Sequence, residues 1–227
     1  MLSCELHTHS KLSHDGRDPV DLLVEQADAV GLDALAVTDH DEIEASLEAA
    51  ELAEERGMVG IPGIEVTSRA GHILGLGVDE QIQPGLPYEN TLNLIRDAGG
   101  IAVIPHPFQE ARHGVMANIT LDQLAMADAI EVYNSRLLTG RANRQAKRFA
   151  QENGLPMVAG SDAHISEMVG QARTLIDATE RSVPSILDAI RAGGTEIDGK
   201  RTPWRISFRQ LAGGVSRRIQ RRLAFFG

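Results

Sequence analysis

The chain has 227 residues, of which 42% are hydrophobic, and that is enough to bury one substantial core. No apolar stretch approaches the roughly 20 residues that cross a bilayer, and the first residues lack the basic and apolar regions of a signal peptide. We therefore expect a cytoplasmic protein without a transmembrane segment. The single cysteine, Cys4, leaves no partner for an internal disulfide, and we expect it to be buried without a catalytic role.

Charge is divided unevenly along the chain. Residues 1–198 contain 14 Lys and Arg against 32 Asp and Glu, a net charge of −18, whereas residues 199–227 contain eight basic residues and no acidic one. A body this acidic repels the phosphate backbone of nucleic acids, so we expect no stable binding of duplex DNA there. We divide the chain accordingly into an acidic domain, 1–198, and a basic, aromatic tail, 199–227.

Strand and helix patterns alternate along the acidic domain. The first predicted helix shows the signals clearly, because Pro19 stands near its start, apolar residues follow at helical spacing, and Gly31 stands at its end. The predicted strands cover 3–10, 32–40, 58–67, 72–79, 100–107, 129–134, 156–164 and 172–177, and the predicted helices cover 18–31, 41–56, 88–98, 120–126, 139–153 and 182–192. Such alternation predicts an α/β fold with a mostly parallel sheet, and about seven βα units favour a closed or distorted barrel over an open sheet.

Polar side chains stand where the predicted strands end. These residues are His7 and His9, Asp39 and His40, Glu65, His106, Asn134, and Asp162 and His164. In α/β barrels the carboxyl ends of the strands converge on one face, which carries the catalytic residues. Within an extended segment, residues i and i+2 point to the same side, so the His7/His9 pair and the Asp162/His164 pair can each grip one ion. The pattern therefore predicts a metal site at the carboxyl ends of the strands.

Six short segments in succession carry a resemblance to a known family. The segments "HTHSKLSHDG", "AVTDHD", "GIEVT", "HILGLG", "IPHP" and "GSDAH" resemble the motifs of the PHP (polymerase and histidinol phosphatase) family of metal-dependent phosphoesterases. They span most of the acidic domain but not the tail. The resemblance implies a distorted (β/α)7 TIM-like barrel that holds two or three divalent ions.

The resemblance also implies which residues hold each ion. The first ion would be held by His7, His9, Glu65 and Asp162, with Glu65 bridging to a second ion held by His72 and His106. A third ion would be held by Asp15, His40 and His164. Asp39 is expected to orient a ligand histidine, whereas His14 and His113 match no motif position and are expected in exposed loops.

Mixed imidazole and carboxylate ligands suit Mn²⁺, Zn²⁺ or Fe²⁺ better than Mg²⁺, which prefers oxygen ligands. The expected reaction is hydrolysis of a phosphate ester by a hydroxide that bridges the ions, with Glu65 and Asp162 as the catalytic ligands. Phosphate also needs fixed positive or polar donors. We assign substrate binding to Arg136, Arg173 and Asn134, near the predicted rim of the cleft.

Three functions are open at this point. The first is hydrolysis of a small nucleotide-like phosphoester or of the end of a short oligonucleotide. The second is a phosphomonoesterase similar to histidinol phosphatase, which the same metal site would serve. The third is a non-catalytic, RNA-binding or architectural subunit, but a complete set of buried ligands would be costly to keep without metal. We therefore favour an enzyme.

The tail is predicted to contain an amphipathic helix. Val215, Ile219 and Leu223 recur at i, i+4 and i+8, with four arginines between them. This helix could dock on the acidic domain, contact an anionic membrane surface, or guide a polyanionic substrate. Docking is favoured, because the tail also carries four aromatic residues whose apolar surface would otherwise face water.

Truncation after Asp198 tests the docking of the tail. We predict that the shortened chain loses thermal stability or solubility, yet keeps its metal site and hydrolyses a small phosphate ester at a similar rate per folded molecule. Thermal melts and phosphate release measure the two properties. Unchanged stability, together with a salt-dependent rise in KM for oligonucleotides alone, would contradict docking and support substrate guidance.

Overall fold

The computed structural model describes residues 1–109, 113–136 and 140–200. The amphipathic helix predicted in the tail lies outside these residues. Within them, no helix combines the length and the apolar character that crossing a bilayer requires.

Ten strands and six α-helices alternate largely as the sequence predicts. The strands are β1 (Leu2–Glu5), β2 (Ala34–Leu35), β3 (Val59–Gly60), β4 (Gly63–Thr67), β5 (His72–Leu76), β6 (Ile101–Ile104), β7 (Ala129–Asn134), β8 (Met157–Gly160), β9 (Ala172–Ile176) and β10 (Thr195–Gly199). The helices are α1 (Val20–Ala29), α2 (Glu44–Glu55), α3 (Tyr88–Asp97), α4 (Leu121–Leu124), α5 (Arg141–Asn153) and α6 (Val183–Arg191).

The local sequence explains where these helices begin and which side they bury. Helix α1 starts after Pro19, which is in an extended conformation, and buries Val20, Leu23, Val24 and Ala27 at the i, i+3, i+4, i+7 spacing of one helix face. Helix α4 starts with a capping box. The Thr120 hydroxyl accepts a hydrogen bond from the backbone amide of Gln123, and the Gln123 side-chain oxygen accepts one from the backbone amide of Thr120.

The strands pair into two five-stranded sheets, ordered β10-β9-β1-β2-β3 and β4-β5-β6-β7-β8. The pairs β1/β2, β2/β3, β6/β7 and β7/β8 are parallel, whereas β9, β10 and β5 pair antiparallel with their neighbours. Isolated parallel bridges, Thr8 with Ala163 and His40 with Glu65, connect the two sheets beyond the strand ends. The mixed α/β architecture is confirmed, while closure into a seven-unit barrel stays a prediction.

Most predicted strands are shorter in the structure, one is divided, and one strand was missed. The segment predicted over 58–67 divides before and after Pro62, which has no backbone N–H to give to a ladder. Strand β10 escaped prediction because "TEIDG" contains a single apolar residue, yet it pairs along its whole length with β9. Since β10 ends at Gly199, one residue beyond the expected domain boundary, the truncation proposed above is best made after Lys200.

The core consists of buried side chains on both sides of the sheets. One cluster packs α3 and α5 against the sheet that contains β4 to β7, and its largest members include Ile64, Ile95 and Phe149. A second cluster joins β1, β5, β6 and α6, and contains Cys4. Burial raises the pKa of the Cys4 thiol to about 12, so the thiol stays protonated, as expected of a cysteine that serves packing alone.

Candidate metal centre

The structure brings all nine side chains predicted to bind metal into one cluster, in which Glu65 lies within β4, His72 begins β5 and the other seven lie outside the strands. The members are His7, His9, Asp15, His40, Glu65, His72, His106, Asp162 and His164. Most are almost completely buried, whereas the Asp15 side chain is 34% exposed and marks the open side of the cluster.

Glu65 lies at the middle of the cluster. Its Oε2 atom is 3.1 Å from His9 Nε2, 3.3 Å from His7 Nε2 and 3.4 Å from His40 Nδ1. Its Oε1 atom is 2.9 Å from His72 Nδ1 and 3.7 Å from His106 Nε2. One carboxylate therefore faces five imidazoles: three lie near its Oε2 atom and two lie near its Oε1 atom.

These contacts have the spacing of ligands around cations. Two ligand atoms about 2.1 Å from one ion and at right angles to each other stand about 3 Å apart. His7 Nε2 and His9 Nε2 are 3.1 Å apart and face the same Glu65 oxygen. Glu65 Oε1 has no well-directed hydrogen bond although His72 Nδ1 is 2.9 Å away. Donor atoms that converge without bonding one another well are the arrangement that a divalent ion would satisfy, so the residues fit the predicted metal.

The charges in the cluster also favour cations. Burial raises the pKa of the Glu65 carboxyl, but His40, His72 and His7 outweigh it and hold the pKa well below its usual range. Burial lowers the pKa of His7, but the Glu131 and Glu65 carboxylates outweigh it and hold the pKa well above its usual range. Buried carboxylates that stay ionised draw positive charge to the cluster, whether from a proton or from a metal ion.

Asp15, His164 and Arg136 form the open side of the cluster. Asp15 Oδ2 is 2.6 Å from His164 Nε2, and Arg136 Nη1 is 2.7 Å from the same nitrogen and 3.0 Å from Asp162 Oδ1. Burial and the Arg136 guanidinium lower the pKa of His164. The guanidinium thus supplies positive charge next to two predicted ligands, and a third ion at Asp15, His40 and His164 requires it to move away.

Glu131 contacts two predicted ligand residues, and the sequence patterns did not point to it. Its Oε1 atom is 2.9 Å from His7 Nδ1, and its Oε2 atom accepts from the His106 amide at 2.9 Å and from Asn134 Nδ2 at 3.0 Å. When a metal ion is bound, a proton kept on His7 Nδ1 and donated to Glu131 would leave Nε2 unprotonated and available to the ion. Gly160 gives this pair its space, because a Cβ there would lie 2.7 Å from Glu131 Oε1 and 2.5 Å from His7 Cβ.

Glu5 and Asp39 hold the backbone on which the ligand residues stand. The Glu5 carboxylate accepts from the amides of Ser161 at 2.9 Å and Gly170 at 3.0 Å, and burial raises its pKa to about 7. Asp39 Oδ1 accepts from the Ser10 amide at 2.6 Å and lies 4.0 Å from His9 Nδ1. Asp39 therefore fixes the turn after His9 more directly than it orients the imidazole itself.

The backbone is strained at two of the predicted ligands. His106 has φ +33° and Asp162 has φ +51°, in the left-handed region that side chains other than glycine rarely adopt. Asn134, which is buried, donates from Nδ2 to Asp162 Oδ2 at 3.3 Å and helps to hold that carboxylate. Strain of this kind persists where surrounding contacts determine the conformation, as is common at functional sites.

The remaining predictions have mixed outcomes. Arg136 lies in the cluster, but Asn134 is buried behind it, bonded to Glu131 and Asp162. Arg173 lies apart: its Nε is 3.4 Å from Asp198 Oδ2, and its Nη1 donates to Ser3 Oγ, at the opposite end of β1 from His7. The antiparallel pairing places the start of β9 near the carboxyl end of β1, but the Arg173 side chain extends to Asp198 and Ser3 and not to the cluster.

His14 and His113 are exposed, as expected, but they are not remote from the site. The His14 ring lies 4.7 Å from the His40 ring, and the His113 ring lies 5.2 Å from the His72 ring, measured between ring centroids. Both therefore stand on the rim of the cluster. Motif matching could not show this, because their proximity depends on the path of two loops.

The fold and the cluster together define a class: a mixed α/β domain with a histidine and carboxylate metal centre. Comparison with known proteins agrees. The family model described as "PHP-associated" matches residues 140–195. An uncharacterized protein of Methanocaldococcus jannaschii is 31% identical over 157 residues, which cover 64% of this chain and 89% of that protein.

Two relatives with named activities match shorter segments. A phosphoribosyl 1,2-cyclic phosphate 1,2-diphosphodiesterase of Eggerthella lenta is 43% identical over 82 residues, 34% of this chain and 31% of that enzyme. A 3',5'-nucleoside bisphosphate phosphatase of Chromobacterium violaceum is 37% identical over 83 residues, 35% of this chain and 29% of that enzyme. The match thus spans about a third of each enzyme.

A solved structure shows the same fold. A two-domain protein of Bacteroides vulgatus that contains a predicted PHP-like metal-dependent phosphoesterase superposes with a TM-score of 0.71 at 24% identity, covering 88% of this chain and 65% of that one. The chain belongs to the PHP family of metal-dependent phosphoesterases, which are hydrolases of phosphoester bonds.

Replacement of Glu131 tests whether it positions His7. In Glu131→Gln, we predict that affinity for Mn²⁺ or Zn²⁺ falls about 10- to 100-fold while the protein stays folded, because an amide can donate to His7 Nδ1 and favour the wrong tautomer. Calorimetric titration of metal into stripped protein measures the affinity, and circular dichroism checks the fold.

The matched control is Glu25→Gln, which removes one exposed carboxylate from α1. Its metal affinity should equal that of the unaltered protein. An unaltered affinity in Glu131→Gln as well would refute the positioning role.

Proposed function

We propose that the protein hydrolyses a nucleotide-like phosphoester, or the phosphoester at the end of a short oligonucleotide, with divalent ions held in the cluster around Glu65. The observation that carries the proposal is the position of this carboxylate, with three imidazoles within 3.4 Å of Oε2 and two more facing Oε1. A single buried carboxylate so placed suits a bridge between two cations.

The assignment of ligands follows the motif positions and is supported by the contacts. His7, His9, Glu65 and Asp162 would hold a first ion; Glu65, His72 and His106 would hold a second; and Asp15, His40 and His164 would hold a third. The mixture of nitrogen and oxygen donors suits Mn²⁺, Zn²⁺ or Fe²⁺. Such ions, when bound, activate water as a nucleophile and neutralise the charge of a phosphate.

The chain's own residues would position the substrate and the ligands. Arg136 has a planar guanidinium at the open side of the cluster, with its side chain 19% exposed, and is suited to bind two phosphate oxygens at once. Asn134 and Glu131 would hold Asp162, His106 and His7 in place from behind, through the hydrogen bonds described above. Glu65, whose pKa is held well below its usual range, would remain ionised throughout.

We also infer that the two sheets are the halves of a distorted barrel around this centre. The support is local: the parallel bridges Thr8–Ala163 and His40–Glu65 join the sheets at the level of the ligand residues. In a barrel the carboxyl ends of the strands converge on one face, and these bridges bring residues from both sheets together in the same way.

The choice of a nucleotide-like substrate is supported by the relatives. The diphosphodiesterase and the phosphatase described above act, by their names, on a phosphoribosyl cyclic phosphate and on a nucleoside bisphosphate. Both are sugar phosphates. A phosphomonoesterase similar to histidinol phosphatase would use the same centre, so a comparison of substrates is needed to separate these two functions.

A substrate panel with defined metal loading tests the function. Protein stripped by a chelator should release no phosphate, and Mn²⁺, Zn²⁺ or Fe²⁺ should restore the activity. We predict that kcat/KM for a nucleoside bisphosphate or a short oligonucleotide exceeds that for histidinol phosphate at least tenfold. Equal or greater activity on histidinol phosphate would favour the second function, and full activity of stripped protein would contradict both.

Two variants tie the activity to the cluster. His9→Ala and Asp162→Ala each remove a ligand of the first ion and should lower kcat/KM at least 100-fold. Asp97→Ala, which removes an exposed carboxylate from α3, is the matched control and should leave activity unchanged. Equal losses in all three variants, with melting temperatures lowered alike, would indicate general destabilisation instead.

A further inference from the structure

Helix α5 has four exposed cations on one side, of which Arg148 forms an ion pair with Glu152 and the other three form no such pair within the part of the chain that the structure describes. Arg141, Arg144 and Lys147 are exposed, whereas the opposite side of the helix buries four residues, among them Ala146 and Phe149. Spacings of three residues place consecutive members of the group on neighbouring positions of the helix surface. We refer to Arg141, Arg144 and Lys147 as the α5 cationic stripe.

The stripe lacks the carboxylate partners that other arginines of the acidic domain have. Ion pairs at 3.4 Å or less hold Arg56 with Asp28, Arg96 with Asp128, Arg136 with Asp162, Arg148 with Glu152, Arg173 with Asp198, Arg181 with Asp33 and Arg191 with Asp188. Among the described residues, none of the three stripe cations is paired in this way. Residues 137–139, which precede the helix, contain no carboxylate either.

Three unpaired cations within seven residues are unexpected in a domain of net charge −18. Like charges three residues apart on a helix repel one another. The acidic domain contains 32 Asp and Glu residues, yet none of them forms an ion pair with these three cations among the described residues. An anionic ligand along the stripe would offset the repulsion.

The stripe is joined to the metal centre through two asparagines. Asn143 of α5 accepts from the Asn134 amide at 3.2 Å and donates to the Asn134 carbonyl at 3.1 Å. Asn134 in turn donates to Asp162. A cavity of about 230 Å³ between β7 and α5 is lined by Asn134 and Asn143 and also by Arg144 and Lys147. The stripe therefore runs along α5 from the cavity that borders Asn134, the residue in contact with Asp162.

We propose that the α5 cationic stripe binds the phosphate backbone of a single-stranded oligonucleotide whose terminal phosphoester lies at the metal centre. This deepens the function proposed above and rests on it. From Arg141 to Lys147 the stripe covers about 9 Å of helix axis, which suits a short length of backbone. A single strand needs only such a narrow track, whereas a duplex would bring a second strand of phosphates against the acidic surface.

Binding of a fluorescent single-stranded oligonucleotide, with chelator present, tests the stripe without reference to activity. We predict that Arg144→Gln/Lys147→Gln in the full chain binds at least tenfold more weakly than the unaltered protein at low salt. The slope of log K against log salt should fall in magnitude by about 1.4, since each phosphate contact on a single strand contributes about 0.7. The basic tail is the same in every variant and cancels from the comparison.

Arg56→Gln/Arg181→Gln is the matched control, because it also removes two positive charges from the exposed surface, at positions outside α5. Neither residue lines the cavity that includes Arg144 and Lys147. The control should therefore bind close to the level of the unaltered protein. Equal weakening in the two double variants would mean that net charge alone acts, which would overturn the proposal.

Hydrolysis separates this proposal from the proposed function. With metal bound, Arg144→Gln/Lys147→Gln should keep the kcat/KM of the unaltered protein for a nucleoside bisphosphate but lose at least tenfold on the oligonucleotide. If unaltered protein hydrolyses no phosphoester with any metal, the proposed function fails, and the binding measurement still decides the stripe. If binding and salt slope are the same in Arg144→Gln/Lys147→Gln and the unaltered protein, the stripe proposal fails alone.

Discussion

The structure depends on one electrostatic constraint: the buried Glu65 carboxylate must stay ionised among imidazoles with no water to solvate it. Taking a carboxylate out of water costs several kcal/mol unless other groups compensate. Here five imidazoles face its two oxygens, and their proximity holds the Glu65 pKa well below its usual range. Yet Oε1 has no well-directed hydrogen bond to any of them. Divalent cations satisfy such a set of donors better than the donors satisfy one another.

The surrounding fold serves to keep this set in place. Glu65 and His72 are fixed by the β4/β5 ladder, whereas His106 and Asp162 follow the ends of β6 and β8, where the backbone is free to adopt their positive φ values. Groups behind them then fix each side chain: Glu131 holds His7, and Asn134 holds Asp162. The same asparagine is tied to α5, so one element connects the predicted chemistry with the cationic stripe.

Sequence reasoning succeeded where a residue's role follows from its place at a strand end. His7 and His9, two apart in an extended segment, do point to one carboxylate. Sequence reasoning failed where the position of a residue or strand depends on contacts between distant segments of the chain. The Arg173 side chain lies apart from the cluster because it contacts Asp198 and Ser3, β10 was missed because its residues are mostly polar, and Glu131 was missed because only the fold reveals that it faces His7. An acidic residue inside the apolar run "AIEVYN" was the available signal.

The most direct test of the central claim is a crystal structure of the protein loaded with Mn²⁺, with anomalous diffraction recorded to locate the ions. The account predicts at least two anomalous peaks, one on each side of the Glu65 carboxylate, with the first also within bonding distance of His7 and His9 and the second of His72 and His106. Absence of any peak within about 3 Å of Glu65 at saturating Mn²⁺, with peaks elsewhere or none, would contradict it.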